Sequence, residues 1–116
     1  MMSRDVEELM LLHKKVIENL EEFTMPAEKQ IEKLKRFDVS DEVASDFSDI
    51  ALKYAKVLFE EGWLSEEQLK LFFEIDKKLD KMSMDKDLLN DEALKNNIKW
   101  SECRNLGKEL LVTFGC

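Results

Sequence analysis

Histidine and cysteine are the side chains most often used near neutral pH as proton shuttles, nucleophiles and soft-metal ligands, and these 116 residues hold one histidine and two cysteines. His13 stands on the apolar side of the first helical stripe. A general base needs an oriented partner and a substrate cleft, so a lone histidine there reads as a partly buried core residue. Cys103 and Cys116 match neither a disulfide framework nor a metal knuckle in their spacing, and they read as reduced thiols. A di-metal carboxylate site would need Glu-x-x-His pairs on two helices, and one histidine cannot supply them. No cofactor and no metal are expected.

Carboxylates are abundant, with 26 Asp and Glu in all. The acidic stretch from Asp76 to Asp91 lacks the central glycine and alternating oxygen ligands of a calcium loop, and it reads as a solvated loop. No Gly-rich phosphate loop, nucleophile elbow or His-Glu-x-x-His pattern occurs. A fold can bring two distant acids together for acid–base work, yet with this many acids on a small surface, proximity arises by chance. The sequence is read as that of a non-enzyme.

The formal charge of −8 repels a phosphate backbone, so nucleic acid is not an expected partner. That charge is concentrated: residues 38 to 52 hold Asp38, Asp41, Glu42, Asp46 and Asp49 and no base, which is −5 of the −8. Glu42, Asp46 and Asp49 are spaced by four and three, placing them on one helical face opposite Phe47, Ile50 and Tyr54. A helix N-terminus accounts for Asp38, Asp41 and Glu42 through its dipole, but that effect fades beyond the first turn and leaves Asp46 and Asp49 unexplained. Two readings stand: a solvated face, which is the commoner outcome for a charge run, or a surface that meets a basic partner.

The elements that position these residues are helices. Leu, Glu, Lys and Ala dominate, with three Gly and one Pro and no period-two strand pattern. Val6, Leu9, Met10, His13, Val16, Ile17, Leu20 and Phe23 predict a first helix over about 5–23. Met25-Pro26 ends it, and a short helix over about 26–36 follows, with Ile31 and Leu34 inward. Phe37-Asp38-Val39-Ser40 marks the next boundary, where Asp38 or Ser40 can cap a third helix. Its apolar face is Val43, Phe47, Ile50, Ala51, Tyr54, Val57 and Leu58, and Gly62 is its C-terminal cap. Ser65 and Gln68 form a capping box for a fourth helix from Glu66, with Leu64 and Leu69 as a hydrophobic staple. Leu69, Phe72, Phe73, Ile75, Leu79 and Met82 face inward there. A shorter helix over about 90–99 carries Ala93, Leu94 and Ile98. Ser101 caps a last helix bearing Trp100, Cys103, Leu106, Leu110 and Phe114, within which Gly107 implies close approach of a neighbour. The expectation is an all-α antiparallel helical bundle of four longer helices with one or two short ones, a single domain over 1–116.

No apolar stretch approaches the roughly 20 residues that span a bilayer, and the N-terminus lacks a signal-peptide pattern, so a cytoplasmic protein is expected. The acid-rich helix Asp38-Val39-Ser40-Asp41-Glu42-Val43-Ala44-Ser45-Asp46-Phe47-Ser48-Asp49, on a small acidic helical chain, resembles the immunity proteins with which bacteria neutralise their own toxins. That resemblance implies a cytoplasmic protein that occludes a basic toxin domain with an acidic helix face. The tandem-tyrosine helix of the colicin DNase immunity proteins has no counterpart here, so only the acidic stripe carries over. Aromatic anchors at such an interface would come from Tyr54, Trp63 or Trp100. The competing reading is a regulatory or adaptor protein that takes a partner helix into an apolar groove lined by Met10, Phe72, Phe73, Met82 and Met84.

Overall fold

In the computed structural model, which describes residues 5–35 and 38–115, the first helix α1 (Val6–Phe23) starts at Asp5, whose carboxylate accepts from the Glu7 backbone N–H. Leu9, Val16, Leu20 and Phe23 bury one stripe of it, and Asn19 lies within that stripe. Its end is closed by Gln30, whose side-chain amide donates to the carbonyls of Glu22 (2.9 Å) and Phe23 (3.0 Å). Gln30 belongs to α2 (Ala27–Lys33), which Pro26 precedes. This helix buries Ala27 and Gln30, and the expected inward residues Ile31 and Leu34 are half-buried and packed against the core. The expected extension to Arg36 and the boundary at Phe37 lie outside the described residues.

The third expected helix is continuous but not uniform. It comprises α3 (Val39–Asp46), a π-helical segment (Phe47–Leu52) and α4 (Lys53–Glu60). Asp38 is the cap, accepting from the Asp41 N–H at 3.4 Å, while Ser40 is buried and donates to the same carboxylate at 3.1 Å. Of the predicted apolar face, Val43, Phe47, Ala51 and Leu58 are buried and Tyr54 and Val57 are half-buried against the core. The π segment's wider turn inserts the equivalent of one extra residue, and beyond it the buried face also takes in Leu52 and Ala55, which the pattern did not include. Ile50 and Tyr54 are left half-buried at the edge. The helix closes as expected: Gly62 has φ +78°, the Trp63 N–H bonds the Leu58 carbonyl at 2.8 Å, and the Gly62 N–H bonds that of Phe59 at 3.0 Å. These two bonds satisfy carbonyls the helix cannot, and only a left-handed residue permits them.

α5 (Glu66–Met82) opens with both bonds of the capping box, Gln68 N–H to Ser65 Oγ at 3.1 Å and Ser65 N–H to Gln68 Oε1 at 2.9 Å. Phe72, Ile75, Leu79 and Met82 are buried, whereas Phe73 is 45% exposed and leaves the predicted core face. A 3₁₀ turn (Lys86–Leu88) buries Leu88 within the stretch expected to be only solvated loop. Asn90 caps α6 (Asp91–Asn96), and Asn97 caps α7 (Ile98–Thr113) by accepting from the Lys99 N–H at 2.9 Å. Ser101 is therefore not the cap but an exposed residue inside α7, and Ile98, beyond the end of α6, is exposed. Trp100 is core: its indole N–H donates to the Leu88 carbonyl at 2.8 Å, tying α7 to the 3₁₀ turn.

The long elements run antiparallel to their neighbours. His13 meets Phe114 at one end of the α1–α7 pair and Thr24 faces Gly107 at the other, while Gln68 and Thr113, then Met82 and Cys103, mark the two ends of the α5–α7 pair. α1 also packs on the π segment and α4, and α5 on both of these, giving an all-α bundle whose end is closed by α2, α3 and α6. Phe23, Phe47, Phe72 and Phe114 form a chain of ring contacts, with centroids 5.0 to 6.4 Å apart, across the core. Among the described residues no helix is long and apolar enough to cross a membrane.

Candidate acidic interface between α1 and the π segment

Where α3 passes into the π segment, the acids fall into two groups. Asp38 and Asp41 are exposed in the first turn, where their charge complements the dipole of α3. Glu42 and Asp46 are half-buried and Asp49 exposed one to two turns further on. Asp46 is turned toward α1, where it meets Glu22. Burial, then the charges of Glu42, Glu22 and Asp49, hold the Asp46 carboxyl above the usual carboxylate range. Among the described residues no Lys or Arg forms an ion pair with any of the five acids; the pairs present are Lys14–Glu18, Lys33–Glu22 and Lys78–Glu102. Among the described residues Glu22 alone of this cluster has a counter-ion, Lys33.

The acid-bearing segment is anchored on two sides. Ser48, between Asp46 and Asp49, donates from its hydroxyl to Asp76 Oδ1 on α5 at 3.0 Å, so the π segment is hydrogen-bonded on one side and packed against α1 on the other. The shift in register brings Ile50 and Tyr54 to the α1 side. With Lys15, Glu18, Asn19 and Glu22 they line a groove of about 300 Å³. A smaller cleft of about 20 Å³ adjoins it, lined by Asn19, Glu22, Phe23, Val43 and Asp46. Asn19 and Glu22 are common to both walls. Asn19 is 7% exposed, and its side-chain oxygen is buried without a hydrogen-bond partner.

Of the sequence-predicted aromatic anchors, only Tyr54 joins this region, with the Lys15 ammonium 6.0 Å from its ring centre. Trp63 lies beyond the far end of α4, separated from Asp49 by roughly 16 Å of helix at 1.5 Å per residue to Glu60. Its ring is 6.2 Å from that of His13, which also meets Phe114 edge-on at 5.2 Å, so the lone histidine is a packing residue at the bundle end. Trp100 is buried and offers no surface. Asn19 and Glu22 were not singled out by their sequence pattern, and Ile50 was expected only as a residue of the apolar face. A signal was present at Asn19, three residues after Val16 and four before Phe23, where a polar side chain interrupts a buried stripe.

The residues of the expected apolar groove are not brought together as one. Phe72 and Met82 are core, while Met10, Phe73 and Met84 are exposed. A concavity of about 550 Å³ between α5 and α7 is lined mostly by Lys and Glu side chains with Asn105 and Leu106, and Lys78 and Glu102 pair across it at 3.1 Å. Cys103 is buried against Met82, sulfur to sulfur at 3.7 Å, and burial pushes its thiol up to about 11. Among the described residues no cluster of His, Cys, Asp or Glu is placed to hold a metal ion. Compared with known proteins, the chain matches no family model, no curated protein and no solved structure.

Proposed function

We propose that the protein is a non-catalytic binding module whose α3–π face, built on Glu42, Asp46 and Asp49, docks onto a basic protein surface, and that it acts as an immunity protein that occludes a toxin domain. One observation carries this reading: five acids without a base within fifteen residues, none of them ion-paired among the described residues, on a segment fixed from both sides. A solvated face gains nothing from concentrating like charge at three- and four-residue spacing, which costs a few tenths of a kcal/mol per pair. A docking face gains faster association and discrimination among partners. Anchoring of the face to α1 and α5 limits the ordering that binding must impose. Inhibition follows from coverage of the partner's basic site, with no bond made or broken.

The test is affinity capture of the tagged full chain from its host lysate at low and at high salt, beside the variant Asp46→Asn with Asp49→Asn. The reading expects a basic protein to be retained at low salt, to be released by salt or by the double variant, and to be toxic to cells that lack this chain. A partner held equally by the variant and through high salt would overturn it and favour an apolar contact through Met10, Phe73 or Met84.

A further inference from the structure

The apolar residues of α1 are divided between two faces. Leu9, Val16, Leu20 and Phe23 enter the core, but Val6 and Met10 remain 59% exposed and Leu11 51% exposed. A large apolar side chain standing alone on a surface is ordinary, whereas three within six positions of one helix make a patch. The charges around this patch are ordered. Glu7, Met10, Leu11 and Lys14, all exposed, stand at i, i+3, i+4 and i+7, which places them in one stripe along about two turns of the outward face of α1. Two apolar residues hold the middle of the stripe, an acid its N-terminal end and a base its C-terminal end. Lys14 keeps only a 4.0 Å contact with Glu18, both side chains mostly exposed, and such a pair is worth little. Glu7 forms no ion pair among the described residues.

This stripe is its own complement under a two-fold axis, and we propose that it is the contact between two copies of the chain, α1 packed antiparallel on α1 of the second copy. An axis passing between Met10 and Leu11 sets Met10 against Leu11 of the second copy and Leu11 against its Met10, so four apolar side chains meet at the centre. The same axis sets Glu7 against Lys14 of the second copy and Lys14 against its Glu7, closing the patch at both ends with opposite charges. Val6 lies at the edge, where the apolar stem of the opposing lysine can cover it. A parallel pair would instead set Glu7 on Glu7 and Lys14 on Lys14, and a wholly acidic or wholly basic foreign helix would match one end alone. The two-fold contact is closed, so assembly stops at the dimer. Two turns of helix bury less than the roughly 1,200 Å² at which stable interfaces begin, so the dimer is a weak one. The contact uses no residue of α3 or the π segment, and it stands independently of the acidic-face reading; a dimer built this way presents two such faces.

Sedimentation velocity on the full chain from about 10 µM to about 1 mM covers the range in which a contact of this size associates. Salt at about 0.1 M screens the −8 carried by each copy beyond about 10 Å and leaves touching pairs in place. A concentration-dependent equilibrium between monomer and dimer is expected. Glu7→Lys alone and Lys14→Glu alone each turn both ion pairs into like-charge pairs, and each should weaken the dimer at least about tenfold. Both changes in one chain, or the two single variants mixed, restore opposite charges at both ends and should return the dimer to within about threefold of the parent. A defect in folding would not be rescued in this way. Met84→Ser, at an apolar residue 87% exposed beyond α5, should leave the dimer unchanged. A chain that stays monomeric throughout, single variants that dimerise like the parent, a double variant no better than the singles, or a dimer lost with Met84→Ser would each overturn the inference. A basic protein captured by a chain that stays monomeric removes the dimer alone, and a rescued dimer in a chain that captures no basic protein removes the acidic-face reading alone.

Discussion

Gly107 on α7 lies so close to Thr24, just past the end of α1, that a Cβ at position 107 would stand 2.7 Å from Thr24 Cγ2 and 3.2 Å from the ring of Phe23. Thr24 cannot swing away freely, because its hydroxyl donates to the Leu20 carbonyl at 2.9 Å. In an exposed helix, Gly→Ala gains about 1 kcal/mol; here overpacking, at about 1–3 kcal/mol, opposes that gain. Gly107→Ala is therefore expected to destabilise by about 1 kcal/mol and to lower Tm by roughly 4 °C. A thermal melt followed by circular dichroism checks it, and a rise in Tm would show that the two helices part without cost.

Asp46→Asn is expected to stabilise the free protein at neutral pH. The carboxyl is held above its ordinary value of 3.8 by burial and by Glu42, Glu22 and Asp49. Its favourable contribution to the fold is fully present below pH 3.8 and is lost as pH rises through the raised folded value. The gain from the variant should therefore be seen at pH 7, be of order a few tenths of a kcal/mol because the group is only half-buried, and shrink toward pH 3 and in high salt. Urea unfolding at both pH values measures it. A variant less stable than its parent at pH 7 would show that Asp46 makes a stabilising bond.

Trp100→Phe removes the donor to the Leu88 carbonyl and leaves that buried oxygen unmet, at a cost of about 1–3 kcal/mol. Trp63→Phe, at a residue 37% exposed, should cost about 0.5 kcal/mol or less. The same pair divides the fluorescence: emission of Trp63→Phe should be blue-shifted and poorly quenched by iodide, that of Trp100→Phe red-shifted and readily quenched. Both residues quenched alike would contradict the placement of Trp100.

Cys103 is expected to resist alkylation at neutral pH in the native protein and to react once denaturant is added. Its thiol, ordinarily at 9.0, is pushed up to about 11 by burial, so the reactive thiolate is scarce as well as shielded. By linkage, its contribution to stability is complete below pH 9 and lost as pH rises through about 11. Mass-spectrometric mapping of iodoacetamide adducts on the Cys103 peptide, with and without urea, tests the first part; rapid native labelling would refute it.

What the sequence by itself determined is local. The periodic apolar residues of α1 and α5, the Ser65–Gln68 box and the Gly62 cap each depend on residues within about one turn of each other, because helix hydrogen bonds and caps reach only that far. Hence the helices, their order and the all-α class were legible, as was the crowding at Gly107, which a glycine inside a helix announces without naming its neighbour. The cap of α7 was misplaced at Ser101 because Asn97 serves two helices at once, ending α6 and starting α7. Only tertiary structure decided the rest. The π segment follows no motif in Phe47–Leu52 that pattern reading could use, and its extra residue moved Ile50 and Tyr54 from the predicted core to the edge of a groove. The placing of Glu22 against Asp46, and of Asn19 with its oxygen unmet between them, brings together residues more than twenty positions apart. Such contacts are fixed by how two helices are rotated against each other, and that rotation is set by the whole core.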